Sequence, residues 1–318
     1  MTPTRVECRG LTVKYGDLVA VDSIDLEVAA GEVFGLLGPN GAGKTSVIRA
    51  LTTIIEPAAG TANVAGAALS DQRVIRQRIG VLPESSGYPS AQTGLSYLRF
   101  YGELFGLSRA EASDRAAELL DQLGLGHTQQ RISHYSRGMR QRLGLCRAMI
   151  NRPDVLFLDE PTLGLDPAGK EEVVRHLADI AVHDGTTVVL CTHLLDEVER
   201  ACDRVAIMAA GKLLTTGTVD DVIDASDVPR SSRLRVHSDD IAAAHDVLGR
   251  LDCVDGIRFD NARPGDLDLQ LAPHAVPPAS ARVLAAIIDA GIEIRAFETD
   301  RASLNDAFLA LTAPGAPT

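Results

Sequence analysis

Val33-Phe34-Gly35-Leu36-Leu37-Gly38-Pro39-Asn40-Gly41-Ala42-Gly43-Lys44-Thr45-Ser46 is the stretch whose reading decides the fold. The five residues before Gly38 form a short apolar run of the kind that becomes a buried strand. Thr45 to Ile55 reads as a helix. Between them Gly38 to Thr45 fits G-x-x-x-x-G-K-[ST] in the strand, loop, helix context that the motif requires. Glycines let backbone N–H groups converge on phosphates, and the start of the helix adds positive potential. Lys44 is expected to reach the β- and γ-phosphates and the Thr45 hydroxyl to ligate Mg²⁺. Gly38, Pro39, Asn40, Gly41, Ala42, Gly43, Lys44, Thr45 and Ser46 are therefore the expected nucleotide-binding set.

Further along, Val155-Leu156-Phe157-Leu158-Asp159-Glu160 is an apolar run ending in two carboxylates, as where a buried strand delivers acids to a ligand site. Asp159 is placed to hold Mg²⁺, and Glu160 to polarise an attacking water. Thr186 to Leu190 reads as another buried strand, with a helix from Ala168 to Val182 between the two, the rhythm of a parallel sheet. Val6 to Val28 alternates in the antiparallel manner, broken by Tyr15-Gly16-Asp17. Ser90 to Ile150 is helical in period. After Gly217 an Asp-rich stretch and Pro229 suggest a boundary: a domain over 1–218, a linker over 219–229 and an accessory domain over 230–318. The accessory part reads strand, helix, strand, strand, helix, strand, then a last helix from Leu304. That βαββαβ order predicts a ferredoxin-like α+β fold.

Bulk properties narrow the function class. No stretch longer than 14 residues is free of Asp, Glu, Lys and Arg, which is short of the ~20 apolar residues that span a bilayer. The N-terminus lacks the apolar core of a secretory signal, so a cytoplasmic protein is expected. Five scattered cysteines without a Cys-x-x-Cys pair read as free thiols. A formal charge of −12 opposes long-range attraction to nucleic acid.

On these motifs the chain resembles the nucleotide-binding subunits of ABC transporters over residues 4 to 218, which implies an α/β P-loop NTPase of ABC type. Its parts would be a parallel-sheet core, an antiparallel β-subdomain and a helical subdomain. Tyr135-Ser136-Arg137-Gly138-Met139 resembles the family signature, with Ser136 and Gly138 kept and three positions changed. The resemblance implies that Ser136, Arg137, Gly138 and Met139 face the ATP of a second subunit. It also implies a D-loop at Leu163 to Asp166, a switch histidine at His193 and an adenine-stacking aromatic at Tyr15. Glu84 stands where the family usually has a glutamine that contacts Mg²⁺ and the membrane subunit. One set of motifs per chain implies an ATP-dependent homodimer, or a pair with a close paralogue, peripheral on the inner membrane face through a separate transmembrane permease. The signature variant and Ser303-Leu304-Asn305-Asp306-Ala307-Phe308-Leu309 resemble ATPases of ABC-2-type exporters, including the daunorubicin-resistance type. A drug, lipid or polysaccharide is the implied cargo. The competing class is a non-transport ABC protein acting on ribosomes or DNA. The single ATPase domain, the acidic balance and the absence of sustained heptads weigh against it. For the C-terminal domain, ligand sensing and self-association stay open.

Overall fold

The computed structural model describes residues 3–84, 87–126, 129–226, 230–259, 265–272, 278–299 and 303–313. The chain divides into two compact units, Met1–Val219 and Asp220–Pro317.

The first unit opens with a hairpin, β1 (Thr4–Tyr15) and β2 (Leu18–Ala29), followed by β3 (Val33–Leu37) and α1 (Lys44–Leu51). Next come β4 (Ala59–Val64), β5 (Ala67–Ala68), α2 (Gln72–Arg78) and β6 (Ile79–Leu82). A helical segment holds α3 (Gly94–Leu104), α4 (Arg109–Gln122) and α5 (Arg137–Met149). The chain then runs β7 (Val155–Asp159), α6 (Pro167–Asp184), β8 (Thr187–Cys191), α7 (Leu195–Ala201), β9 (Arg204–Ala209) and β10 (Lys212–Thr218).

β3, β7 and β8 are buried at every residue, as their uninterrupted apolar runs require of strands covered on both faces. They lie in a six-stranded sheet of order β10-β9-β3-β8-β7-β6, parallel except for the β9–β10 pair. Side chains on successive strand residues point to opposite faces. Val155, Phe157, Val189 and Cys191 accordingly enter one core with Phe34, Leu36 and the hairpin residues Val6, Leu11 and Val28. Leu156, Leu158, Val188 and Leu190 enter a second core with Leu119, Leu123, Leu143, Val173 and Leu177 of the helices. β2-β1-β4-β5 forms a separate antiparallel layer. The parallel core, antiparallel layer and helical segment are the three parts expected of the first domain. Helix bounds move by a few residues, with α1 stopping at Leu51 rather than Ile55.

α8 (Val219–Ala225) starts at the last residue of the first unit and runs into the second, inside the stretch read as a linker. Val219, Val222 and Ile223 repeat at helical spacing, and Asp220 and Asp221 fall in the first turn, where acids favour the helix dipole. Residues 227–229 of that stretch lie outside the described residues. The rest is β11 (Arg230–Val236), α9 (Ile241–Leu248), β12 (Val254–Phe259), β13 (Asp266–Leu271), α10 (Ala279–Asp289), β14 (Ile294–Thr299) and α11 (Leu304–Thr312). The sheet order β12-β13-β11-β14 is antiparallel throughout, the ferredoxin-like arrangement of a βαββαβ chain. Leu234, Val236, Leu267, Leu269 and Leu271 form its core with Ala244, Leu248, Val283 and Ile287 of the two helices. Arg233 pairs with Asp268 at 3.0 Å and Arg235 with Asp266 at 2.6 Å across β11 and β13, at the alternate positions that this core does not use.

Candidate functional site

Three neighbouring strands, β3, β8 and β7, end at the same edge of the parallel sheet, where ligands of open α/β sheets bind. The loop after β3 is 38–43, the loop after β8 carries His193, and β7 ends in Asp159 with Glu160 beyond it. A cleft of about 730 Å³ there is lined by Tyr15, Asn40 to Ser46, Glu84, Asp159 and Glu160, with Leu18, Val19, Ala20, Ala210 and Gly211 on its apolar side.

The loop needs its last glycine. Gly43 has φ of +103°, and a Cβ there would lie 2.4 Å from the Ala20 carbonyl oxygen, so only glycine fits. Lys44 is buried, and its ammonium donates to the carbonyls of Gly38 at 2.6 Å and Pro39 at 3.1 Å. The charge is thereby held against the loop that would surround a phosphate. The Thr45 hydroxyl donates to Asp159 Oδ2 at 3.0 Å. Ser46 donates to the Tyr15 phenol at 3.4 Å, and that hydrogen bond is the main cause that lowers the phenol below its ordinary range. Tyr15 itself is 42% exposed at the rim.

Asp159 is only 5% exposed. Burial raises its carboxyl above the ordinary value, with repulsion from Glu84 and Glu160 adding to the effect and the Thr45 hydrogen bond and Lys44 opposing it. Glu160 leaves the strand with φ of +52°, a left-handed conformation that an L side chain rarely adopts. Three side chains hold it there. His193 Nδ1 lies 2.7 Å from Oε1, the Thr192 hydroxyl donates to Oε2 at 3.2 Å, and Gln141 Nε2 donates to its backbone oxygen at 2.9 Å. A carboxylate fixed by a histidine beside a phosphate-type loop is equipped to orient water and receive a proton.

Ser136, Arg137, Gly138 and Met139 do not line this cleft. Ser136 caps α5 by accepting from the Met139 N–H at 3.2 Å, and Gly138 faces Leu165. Asp166 caps α6 by accepting from the Gly169 N–H at 3.2 Å. The Arg137 side chain crosses Gly164, whose φ of +83° and missing Cβ leave room for it. Gln141 and Thr192 were missed from sequence. Thr192 had a signal in its adjacency to His193, and Gln141 had one in lying two residues past Met139, the end of the signature stretch.

A family model described as ABC transporter matches residues 21–163. The daunorubicin/doxorubicin resistance ATP-binding protein of Streptomyces peucetius is 40% identical over 316 residues, covering 98% of this chain and 93% of that protein. Nod factor export ATP-binding protein I of Cupriavidus metallidurans is 36% identical over 248 residues, 76% of this chain and 80% of that one. A solved ATP-binding subunit of an ABC transporter superposes with a TM-score of 0.64 at 30% identity, covering 69% of this chain and 91% of that one. A dimeric bacterial ABC transporter cassette shares the fold at a TM-score of 0.63 and 23% identity, over 67% and 98%. Among the described residues no helix is long and apolar enough to cross a membrane. The chain belongs to the ABC transporter family, as one of its ATP-binding, ATP-hydrolysing subunits.

Proposed function

We propose that this chain hydrolyses Mg²⁺-ATP as a homodimer, or paired with a close paralogue, to power export of a drug, lipid or polysaccharide through a separate membrane permease. The observation that carries the reading is Glu160, set between His193 and Thr192 at the mouth of the cleft that also holds Lys44, Thr45 and Asp159. The likeness to a drug-resistance ATP-binding protein over nearly the whole chain supports export rather than work on ribosomes or nucleic acid.

The loop amides, Lys44 and the start of α1 bind the phosphates. Tyr15 supplies an aromatic face for adenine. The Thr45 hydroxyl and the Asp159 carboxylate, 3.0 Å apart, offer the all-oxygen donors that suit Mg²⁺, with Glu84 as a further carboxylate in the cleft. An ion held by these oxygens would take its remaining ligands from phosphate and water. When bound, Mg²⁺ supplies charge neutralisation on the phosphates. Glu160 orients the water and takes its proton, and His193, fixed through Nδ1, presents its other nitrogen to the γ-phosphate. Ser136 to Met139 and Asp166 lie away from the cleft, and by the family resemblance they serve the ATP of a second subunit. The assembly sits on the cytoplasmic membrane face through the permease.

The test uses tagged Glu160→Gln protein, expected to lose at least ~100-fold in turnover while keeping ATP binding. With ATP it should run as a dimer in size-exclusion with light scattering, and it should co-purify with a multi-spanning membrane protein from solubilised native membranes. A monomer at high protein and ATP would overturn the dimer, and ribosomal proteins in place of a membrane partner would overturn the transporter role.

A further inference from the structure

Glu197, in the first turn of α7, is 3% exposed and none of the steps above uses it. Its Oε2 accepts from the buried Thr162 hydroxyl at 2.6 Å, and its Oε1 lies 3.2 Å from Lys170 Nζ. A carboxylate is costly to bury, and apolar side chains of similar volume often pack in its place with no loss of stability. Stability alone therefore does not account for a buried carboxylate with a lysine and a threonine at this position.

Its three members belong to the segments that carry the site. Thr162 lies in the connection from β7 to α6, between Glu160 and Asp166. That connection is internally tied, with the Leu163 N–H on the Glu160 oxygen at 3.2 Å and the Leu165 N–H on the Thr162 oxygen at 3.1 Å. Lys170 is in the first turn of α6, its N–H on the Asp166 oxygen at 2.9 Å. Glu197 follows His193 by four residues, and the Leu194 N–H between them is held by the Thr192 hydroxyl at 3.1 Å. The β7 and β8 loops thus meet twice. They meet at the cleft-lining Glu160, which Thr192 and His193 contact, and again as Thr162 and Lys170 with Glu197, none of which lines the cleft.

We propose that Glu197 is a positioning residue for hydrolysis: with Thr162 and Lys170 it clamps the connection carrying Glu160 and Asp166 to the helix that follows His193. The clamp keeps the Glu160–His193 pair in register, so that Glu160 meets its water and Asp166 keeps its place as one rigid piece. The proposal rests on the reading of Glu160 as the residue that polarises water.

The experiment measures steady-state ATP hydrolysis by the full chain at varied ATP and saturating Mg²⁺. Glu197→Gln keeps the volume and an acceptor for Thr162 but leaves Lys170 without its counter-charge. Its kcat should fall on the order of 10-fold, since small misplacement of reacting groups is expensive, while KM stays within about twofold. In a His193→Ala background the same change should lower kcat by less than about twofold more, because residues acting as a unit are not additive. Thr162→Val, which removes the donor and keeps the shape, should repeat the pattern and stands in where Glu197→Gln does not fold. Equal losses in both backgrounds, a raised KM at unchanged kcat, or a kcat loss that follows the unfolded fraction in thermal melts of both variants would overturn the clamp. Glu160→Gln is the control. If it is inactive while Glu197→Gln and Thr162→Val turn over normally, the clamp alone fails. If Glu160→Gln turns over fully, the reading of Glu160 and the clamp fall together.

Discussion

Asp159 and Glu160 are neighbours in sequence and opposites in setting. Asp159 is the last strand residue, turned inward beside Thr45, while Glu160 swings out through a left-handed backbone toward His193. Burial raises the Asp159 carboxyl above 3.8, its ordinary value. The folded chain therefore binds this proton more tightly than the unfolded chain does. The stability that the protonated form contributes is complete below pH 3.8 and is lost as pH rises through the raised value. At neutral pH the ionised side chain is a cost to the fold. Asp159→Asn should melt higher than the parent at pH 7.5, and the two melting temperatures should converge toward pH 4. A variant that melts lower at pH 7.5 would contradict this. The same substitution should abolish Mg²⁺-dependent hydrolysis.

At the scale of elements, the parts with a strong local pattern were legible in the sequence and the parts set by tertiary contact were not. The buried runs at Val33, Val155 and Thr187 could be read because a strand covered on both faces must be apolar throughout. Loop 38–45 could be read because its glycines, lysine and threonine each answer a separate need of a phosphate. The Asp-rich stretch at 219 reads as linker in the sequence, and its first part, Val219–Ala225, is a helix. Its apolar stripe of Val219, Val222 and Ile223 is only one turn long, and its acids look like solvated loop until their place at a helix start is known. The contacts of Gln141, Thr192 and Glu197 were beyond reach for another reason. They join segments 19 to 35 residues apart: Gln141 reaches Glu160 from α5, while the contacts of Thr192 and Glu197 exist because β8 lies beside β7, a strand order that no local pattern states.

On the scale of the whole molecule, the two units keep separate cores. The two clusters of the first unit use no residue beyond Leu213, and that of the second runs from Leu234 to Phe297. A fragment of residues 1–219 should therefore fold alone, melt cooperatively in calorimetry and bind ATP as the full chain does. If it aggregates or binds no nucleotide, the cores are not independent. Its hydrolysis rate then separates the roles open to the C-terminal unit, because a changed rate marks regulation and an unchanged one points to self-association or another task. The cysteines have a different consequence. Cys8, Cys146, Cys191 and Cys253 are buried and Cys202 is half-buried. Burial pushes the Cys8 thiol up to about 12 and those of Cys146, Cys191 and Cys202 up as well. Since the thiolate is the reactive form and four of the five thiols are buried, the native chain should react little with maleimides at neutral pH. Asp114→Cys, at an exposed point on α4, should accept one dye per chain by mass spectrometry, giving a fluorescent reporter of the helical segment without a cysteine-free background.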